Sequence, residues 1–177
     1  MADLHIVTGG AGFIGSAIVW GLNRRNVDNI LIVDRLDQSE KWRNMAALRF
    51  ADYLDADDFA RRITAQPHAF GRVSKFFHLG ANSSTTETDS AYLMRNNFEY
   101  SKVAAQWAVT IDARFLYASS AATYGALEET VSEDLPLASL RPLNAYAFSK
   151  HAFDLWAQKA GLLTRITGLK YFNVFGP

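Results

Sequence analysis

The sequence predicts an α/β fold, a doubly wound parallel sheet, and three observations predict it. Short apolar runs alternate with amphipathic stretches along the chain, a glycine-rich turn joins the first run to the first stretch, and an acid closes the second run. The alternation places strands at Leu4 to Thr8, Asn29 to Asp34, Leu48 to Ala51, Lys75 to Leu79, Phe115 to Ala118 and Ile166 to Phe172. Helices fill the gaps at Phe13 to Arg24, Ala56 to Thr64, Ser90 to Val109 and Ala145 to Lys159. Right-handed crossovers between such strands give a sheet that receives ligands at the carboxyl ends of its strands. The longest irregular stretch, Gly125 to Leu143, carries Glu128, Glu129, Glu133 and Asp134 with two prolines and reads as a surface loop beside a site.

With 177 residues, 49% of them apolar, the chain suffices for one well-packed domain and is short for two. Residues 1–177 are therefore taken as one domain. Lys and Arg number 18, as do Asp and Glu, so no net field favours nucleic acid or an anionic membrane. Cysteine is absent, which removes disulfides, thiolate catalysis and sulfur-ligated metals. His5, His68, His78 and His151 lack ligand spacing and read as packing or surface residues, so no metal is expected. Met1-Ala2-Asp3 runs directly into the first strand without a basic leader or apolar signal core. No apolar run reaches membrane-span length. The expectation is a soluble, cytoplasmic protein.

The chemistry begins at Thr8-Gly9-Gly10-Ala11-Gly12-Phe13-Ile14-Gly15, which follows the first strand and opens the first helix. Glycines allow the sharp turn and the close approach of a pyrophosphate, and the free amides of the helix start stabilise its charge. Asp34 lies 34 − 15 = 19 residues past the last glycine, where a carboxylate reaches the hydroxyls of a cofactor ribose. A plain tight turn would explain the glycines alone; strand, helix and acid in register point to a Rossmann-type dinucleotide site for NAD(P).

A second constellation lies further along. Tyr146-Ala147-Phe148-Ser149-Lys150 falls on the last helix, and Ser119-Ser120-Ala121-Ala122-Thr123-Tyr124-Gly125 follows the fifth strand. Positions i and i+4 share a helix face, so Lys150 sits one turn from Tyr146, and an ammonium there favours a phenolate. Tyr146 can remove a hydroxyl proton while Ser120 hydrogen-bonds the same substrate oxygen. The plainer reading makes Tyr146 a half-buried aromatic, Lys150 a solvated cation and Ser120 a turn residue.

Gly9-x-x-Gly12-x-x-Gly15 with the Tyr-x-x-x-Lys pair resembles the short-chain dehydrogenase/reductase superfamily. The strings VTGGAGFIGS, ADYLDADDF, HLGANSSTTE, NNFEYSK, FLYASSAATYG, PLNAYAFSK and KYFNVFGP resemble, in order and spacing from Leu4 to Pro177, the ADP-L-glycero-D-manno-heptose 6-epimerase family of lipopolysaccharide core synthesis. Ser83-Ser84-Thr85-Thr86-Glu87 and Asn96-Asn97 with Tyr100-Ser101-Lys102 are the discriminating parts; a 4,6-dehydratase usually carries Thr-Asp-Glu at the serine loop.

The resemblance implies that Gly9, Gly12, Phe13, Ile14 and Gly15 pack on the cofactor, and that Asp34 and Arg35 meet its adenosine ribose with Lys41 adding charge. Leu79, Gly80, Ala81, Asn82 and Ser83 would line the cofactor and Asn96 would touch it. Ser120, Tyr146 and Lys150 would form the catalytic group, Lys150 also holding the nicotinamide ribose. Asn173 and Ser120 would face the sugar and Val174 the nicotinamide. The family uses NADP, with NAD as the alternative: Arg35 and Lys41 suit a 2′-phosphate, whereas Asp34 repels one. Two departures stand out, since Ala56 replaces an adenosine-side lysine amid Asp55, Asp57 and Asp58, and Asn82 stands where cysteine is usual.

The implied reaction inverts carbon 6 of ADP-D-glycero-D-manno-heptose through a transient ketone. Related epimerases carry a second base, a lysine, shortly after the Asn-Val-aromatic-Gly-Pro motif, and a separate sugar-nucleotide domain. The sequence stops at Gly176-Pro177. The expectation is therefore an NAD(P)-binding portion truncated before the substrate domain, inactive alone, whose full-length form is a homo-oligomer. Two alternatives stay open: another NAD(P)-dependent nucleotide-sugar enzyme such as a UDP-hexose 4-epimerase, and a cofactor-binding module without catalysis.

Overall fold

The structure is a computed structural model that describes residues 3–127 and 131–176. Six strands, β1 (Leu4–Thr8), β2 (Ile30–Asp34), β3 (Asp52–Asp55), β4 (Val73–His78), β5 (Arg114–Ser120) and β6 (Ile166–Tyr171), hydrogen-bond in the order β3-β2-β1-β4-β5-β6. The pairs β1/β2, β1/β4 and β2/β3 are parallel. This is the order expected of a doubly wound dinucleotide fold, reversing direction at β1 and β4. The helices are α1 (Phe13–Asn23), α2 (Ala56–Ala65), α3 (Ser90–Leu93), α4 (Tyr100–Thr110) and α5 (Ala145–Lys159).

The chain divides into two compact units, one of Met1–Gly80 with Val103–Leu116 and the other of Ala81–Lys102 with Tyr117–Pro177. In the first, β1 and β2 are almost wholly buried, so their residues read as continuous apolar runs rather than alternating ones. Val7, Ile30 and Ile32 pack with Val19 and Leu22 of α1 and with Met45. An aromatic cluster forms a second core, with Phe76 edge-on to Phe59, Trp107 and Phe115 at centroid distances of 5.8, 5.7 and 5.0 Å. The indole of Trp107 donates to the Pro67 carbonyl at 2.8 Å, so its polar edge is satisfied.

In the second unit α5 buries Ala147, Ser149, Lys150, His151, Phe153, Asp154 and Ala157. Phe153 packs edge-on to Tyr117 at 4.8 Å. Asn144 caps α5 by accepting from the Ala147 amide.

The structure departs from the sequence expectation in two places. Residues Leu48 to Ala51 are not a strand; β3 begins at Asp52. Leu48 and Phe50 contribute to the α1-side core from a loop, and the Arg49 amide is held by the Asn23 side chain at 2.8 Å. The strand proper sits at the sheet edge, where Asp-Tyr-Leu-Asp is tolerated because burial is partial. The expected helix Ser90 to Val109 is interrupted by a π-helical turn at Met94–Glu99 whose buried residues are Asn96 and Asn97. Among its described residues, the loop Gly125 to Leu143 is irregular apart from a 3₁₀ turn at Leu137–Ser139 and a bridge from Gly125 to Arg141. Glu128 and Glu129 of its acidic cluster lie outside the described residues. No helix among the described residues is long and apolar enough to cross a membrane.

Candidate active site

In the first unit, β1 ends at Thr8 and the chain turns at Gly9, whose φ of +68° lies in the left-handed region. A Cβ on Gly9 would meet the Gly80 nitrogen at 2.8 Å, so the loop passes directly over the segment that leaves β4. At Gly15 the constraint is tighter, because a Cβ would stand 2.1 Å from the Gly9 carbonyl oxygen. These glycines keep the turn folded onto the start of α1. Gly12, the N-cap of α1, provides no side-chain cap, which leaves the first-turn amides unpaired within the helix. That start also carries the positive end of the helix dipole, so the cradle fits a pyrophosphate. Phe13, 49% exposed, presents an apolar surface beside it.

Side chains that the glycine pattern does not reveal hold the loop in place. Asn44 donates to the Ala11 carbonyl at 2.8 Å. Thr8 Oγ1 accepts from the Gly80 amide at 3.1 Å and lies 2.8 Å from His78 Nδ1. His78 is thus a buried packing and positioning residue, in keeping with the absence of metal-ligand spacing.

Asp34 closes β2 and is buried. One carboxylate oxygen accepts from the Ala11 amide at 2.9 Å, the other from the Arg35 amide at 2.8 Å and from Lys41 Nζ at 2.7 Å. It therefore ties the glycine loop to the second strand and brings Lys41 to the same spot. Arg35 points elsewhere: its guanidinium pairs with Asp57 at 2.5 Å, which holds that carboxyl below its usual range. Asp55 caps α2 through the Asp57 amide, and Asp57 and Asp58 occupy its first turn. The acids flanking Ala56 thus have a structural role at a helix start.

In the second unit, the Asn82 amide donates to Asn97 Oδ1 at 2.8 Å and Asn97 Nδ2 returns a bond to the Asn82 carbonyl at 2.9 Å. Asn97 Nδ2 also reaches Ser149 Oγ at 3.0 Å, and Ser149 donates to the Tyr146 carbonyl at 2.7 Å. Asn96 donates to Asn97 Oδ1 at 3.0 Å. The π turn thereby fixes both the Ala81, Asn82, Ser83 segment and α5. Ser83 is exposed, whereas Leu79, Gly80, Ala81 and Asn82 are partly buried.

Ser120 ends β5, buried, with its Oγ accepting from the Ala122 amide at 3.2 Å. Tyr146 is half-buried in the first turn of α5. Lys150, one turn later, is buried and donates to the Ala118 carbonyl at 2.9 Å, two residues before Ser120. Burial lowers its ammonium to about 8, against which the nearby Asp154 carboxylate acts in the opposite sense. A lysine so placed is not a solvated cation. Asn173 and Val174 lie exposed beyond β6, and among the described residues no hydrogen bond joins Asn173 to Ser120, Tyr146 or Lys150. Among the described residues no cluster of His, Asp and Glu could hold a metal ion.

The family model described as "NAD dependent epimerase/dehydratase family" matches residues 5–177. The chain is 46% identical over 175 residues to the ADP-L-glycero-D-manno-heptose-6-epimerase of Nitratidesulfovibrio vulgaris strain DP4, a match covering 98% of this chain and 54% of that protein. Among solved structures, the ADP-L-glycero-D-manno-heptose-6-epimerase of Helicobacter pylori superimposes with a TM-score of 0.83 at 25% identity, over 99% of this chain and 56% of the other. MoeE5 in complex with UDP-glucose and NAD superimposes with a TM-score of 0.73 at 25% identity, over 99% of this chain and 56% of that one. The chain thus spans about half the length of the curated relatives it matches. The chain belongs to the NAD dependent epimerase/dehydratase family.

Proposed function

We propose that this chain forms the cofactor-holding and proton-transferring part of an NADP-using nucleotide-sugar epimerase. That whole enzyme inverts carbon 6 of ADP-D-glycero-D-manno-heptose by transient oxidation to a ketone and re-reduction, a step of lipopolysaccharide core biosynthesis. The observation that carries the reading is Lys150, buried and anchored on the Ala118 carbonyl one helical turn from Tyr146 and two residues from Ser120. The heptose comes from the similarity to named heptose epimerases.

In this reading Gly9, Gly12 and Gly15 admit the cofactor pyrophosphate to the start of α1. Phe13 and Ile14 pack on the cofactor, Asp34 meets the adenosine ribose, Leu79 to Ser83 line the cofactor and Asn96 touches it. The bound nicotinamide supplies a hydride acceptor that can return the hydride. In one of the two sugar orientations Tyr146 takes the proton of the carbon-6 hydroxyl; the other orientation is served by the second base, a lysine, that related epimerases carry. Ser120 donates a hydrogen bond to the same oxygen, and the Lys150 ammonium stabilises the phenolate of Tyr146 and binds the nicotinamide ribose. Val174 and Asn173 are assigned to the nicotinamide and the sugar. Holding a sugar for both half-reactions needs an enclosed pocket, and accurate positioning supplies roughly 7–11 kcal/mol of a barrier. Residues 1–177 alone are accordingly assigned cofactor binding without epimerisation, the active form being a longer, cytoplasmic homo-oligomer.

NAD is a second reading, favoured by one observation: the Arg35 guanidinium is engaged by Asp57, so a 2′-phosphate would compete with a carboxylate for it. Lys41 remains beside Asp34 as the cation for NADP.

The test joins residues 1–177 to the remaining length of the Nitratidesulfovibrio vulgaris relative and supplies ADP-D-glycero-D-manno-heptose with NADP. Appearance of the L-glycero epimer is the expected result. A chimera that binds cofactor yet turns over UDP-hexoses instead would establish the 4-epimerase alternative, and one that turns over neither would leave a cofactor-binding module.

A further inference from the structure

Asp154 stands out on α5 as a buried carboxylate that the reaction described above does not use. It lies four residues after Lys150, on the same face of the helix. Three groups donate to it: Tyr117 Oη to Oδ1 at 2.9 Å, Ser119 Oγ to Oδ2 at 2.7 Å, and Lys170 Nζ to Oδ2 at 3.1 Å. Tyr117 and Ser119 project from the same face of β5, and the carbonyl between them, that of Ala118, is the one Lys150 grips. The helix therefore clamps the last turn of pleat before Ser120 from both sides of one peptide.

The network continues past the strand. Lys170 Nζ also donates to Thr123 Oγ1 at 2.6 Å, and Thr123 Oγ1 donates to the Ser120 carbonyl at 2.7 Å. Gly168 on β6 makes room for this arrangement, because a Cβ there would meet the Tyr117 hydroxyl at 2.5 Å. A chain of contacts thus runs from Asp154 to both ends of the turn that presents Ser120.

We propose that Asp154 is a positioning residue for the Ser120, Tyr146 and Lys150 group: through Tyr117, Ser119 and Lys170 it fixes the end of β5, and it places a negative charge one helical turn from Lys150. A buried carboxylate with three donors is costly to assemble for packing alone, since apolar residues of the same volume would fill the space without desolvating a charge. Lys150 is the group that gains from it, because burial disfavours the ammonium that the base chemistry needs. The charged and titratable groups facing Asp154 are Lys150 and His151 on α5, Tyr117 on β5, Tyr124 in the following turn and Lys170 on β6. Burial pushes the Tyr117 and Tyr124 hydroxyls up and the His151 imidazole down, which favours the neutral form of all three.

The functional meaning rests on the proposed role of Lys150, but the test does not, because it uses neither cofactor nor substrate. The Lys150 13Cε resonance is followed against pH in the 177-residue chain and in its Asp154→Asn and Lys170→Met forms, each checked for native far-UV dichroism. Asp154→Asn should lower the Lys150 midpoint by about one pH unit. Lys170→Met removes the cation that offsets the carboxylate, and should raise that midpoint by a few tenths of a unit. A folded Asp154→Asn chain with an unmoved Lys150 midpoint would overturn the proposal. If Asp154→Asn does not fold, Lys170→Met decides alone, and an unmoved or lowered midpoint there counts against it.

Discussion

The glycine loop and the Ser120, Tyr146, Lys150 group are built by opposite means. The loop is a backbone device: Gly9 and Gly15 are required by contacts of 2.8 and 2.1 Å that leave no room for a Cβ, and the amides of α1 are the proposed binding groups. The second region is a side-chain device. Lys150 depends on the Ala118 carbonyl, Tyr146 on a helix steadied by Asn97 through Ser149, and Ser120 on a turn braced by Thr123 and Lys170. Damage to a backbone device should therefore be lost affinity, whereas damage to a side-chain device should be lost chemistry with affinity kept.

The largest effect expected from this contrast is that of Tyr146→Phe in the chimeric enzyme. Turnover of ADP-heptose should fall roughly 10²–10⁴-fold while calorimetry records cofactor affinity nearly unchanged, since the ring still packs but cannot take the proton. Equal losses in both would erase the distinction.

Gly15→Ala should do the reverse. The added methyl group must displace the Gly9 carbonyl, so dinucleotide binding should drop below detection and the thermal midpoint should fall by the equivalent of about 1–3 kcal/mol. Retained affinity would mean that the loop is not the phosphate cradle.

Lys150 sharpens the comparison through pH. Its ordinary value of 10.5 is lowered to about 8 in the fold, so between those values the unfolded chain keeps a proton that the folded chain has released. The stability cost of this lysine is full below about pH 8 and fades as pH rises towards 10.5. Lys150→Met should therefore be more stable than the parent at pH 7, by roughly 1–3 kcal/mol, with the gap closing across that window in denaturant titrations. A constant gap from pH 7 to 10 would show that burial of the charge is not what this residue costs.

The smallest effect expected is that of Arg35→Ala, a several-fold weakening of NADP with NAD less affected. Its engagement with Asp57 caps the gain that a 2′-phosphate can draw from it. Equal losses for the two dinucleotides would remove Arg35 from 2′-phosphate recognition and leave Lys41 as the cation beside Asp34.

The same contrast explains what could be read from the residues alone. β1, α1, β2 and α5 were legible to within a residue or so, because their apolar periods are uninterrupted and because glycine, Asn144 and Asp34 mark their ends. A backbone device writes itself into the sequence as glycines at fixed spacing. β3 was missed because an edge strand needs no apolar run, and the apolar residues just before it serve a core from a loop. The π turn was invisible because its side-chain periodicity differs little from that of the α-helix around it. Asn44, Thr8, Asn97 and Asp154 were not recognised as supports of the site, since each acts through partners 15 to 72 positions away in the chain. For Asp154 a signal existed: an acid four residues after Lys150 on a face otherwise buried.

The central claim is that the Gly9 to Gly15 loop holds a nicotinamide dinucleotide. The most direct test is a calorimetric titration of the folded 177-residue chain with NADP and with NAD, run beside Gly15→Ala. Saturable binding of at least one dinucleotide at a single site, abolished by the added methyl group, is the expected result. Folded protein that binds neither, or a Gly15→Ala chain that binds as well as the parent, would contradict it.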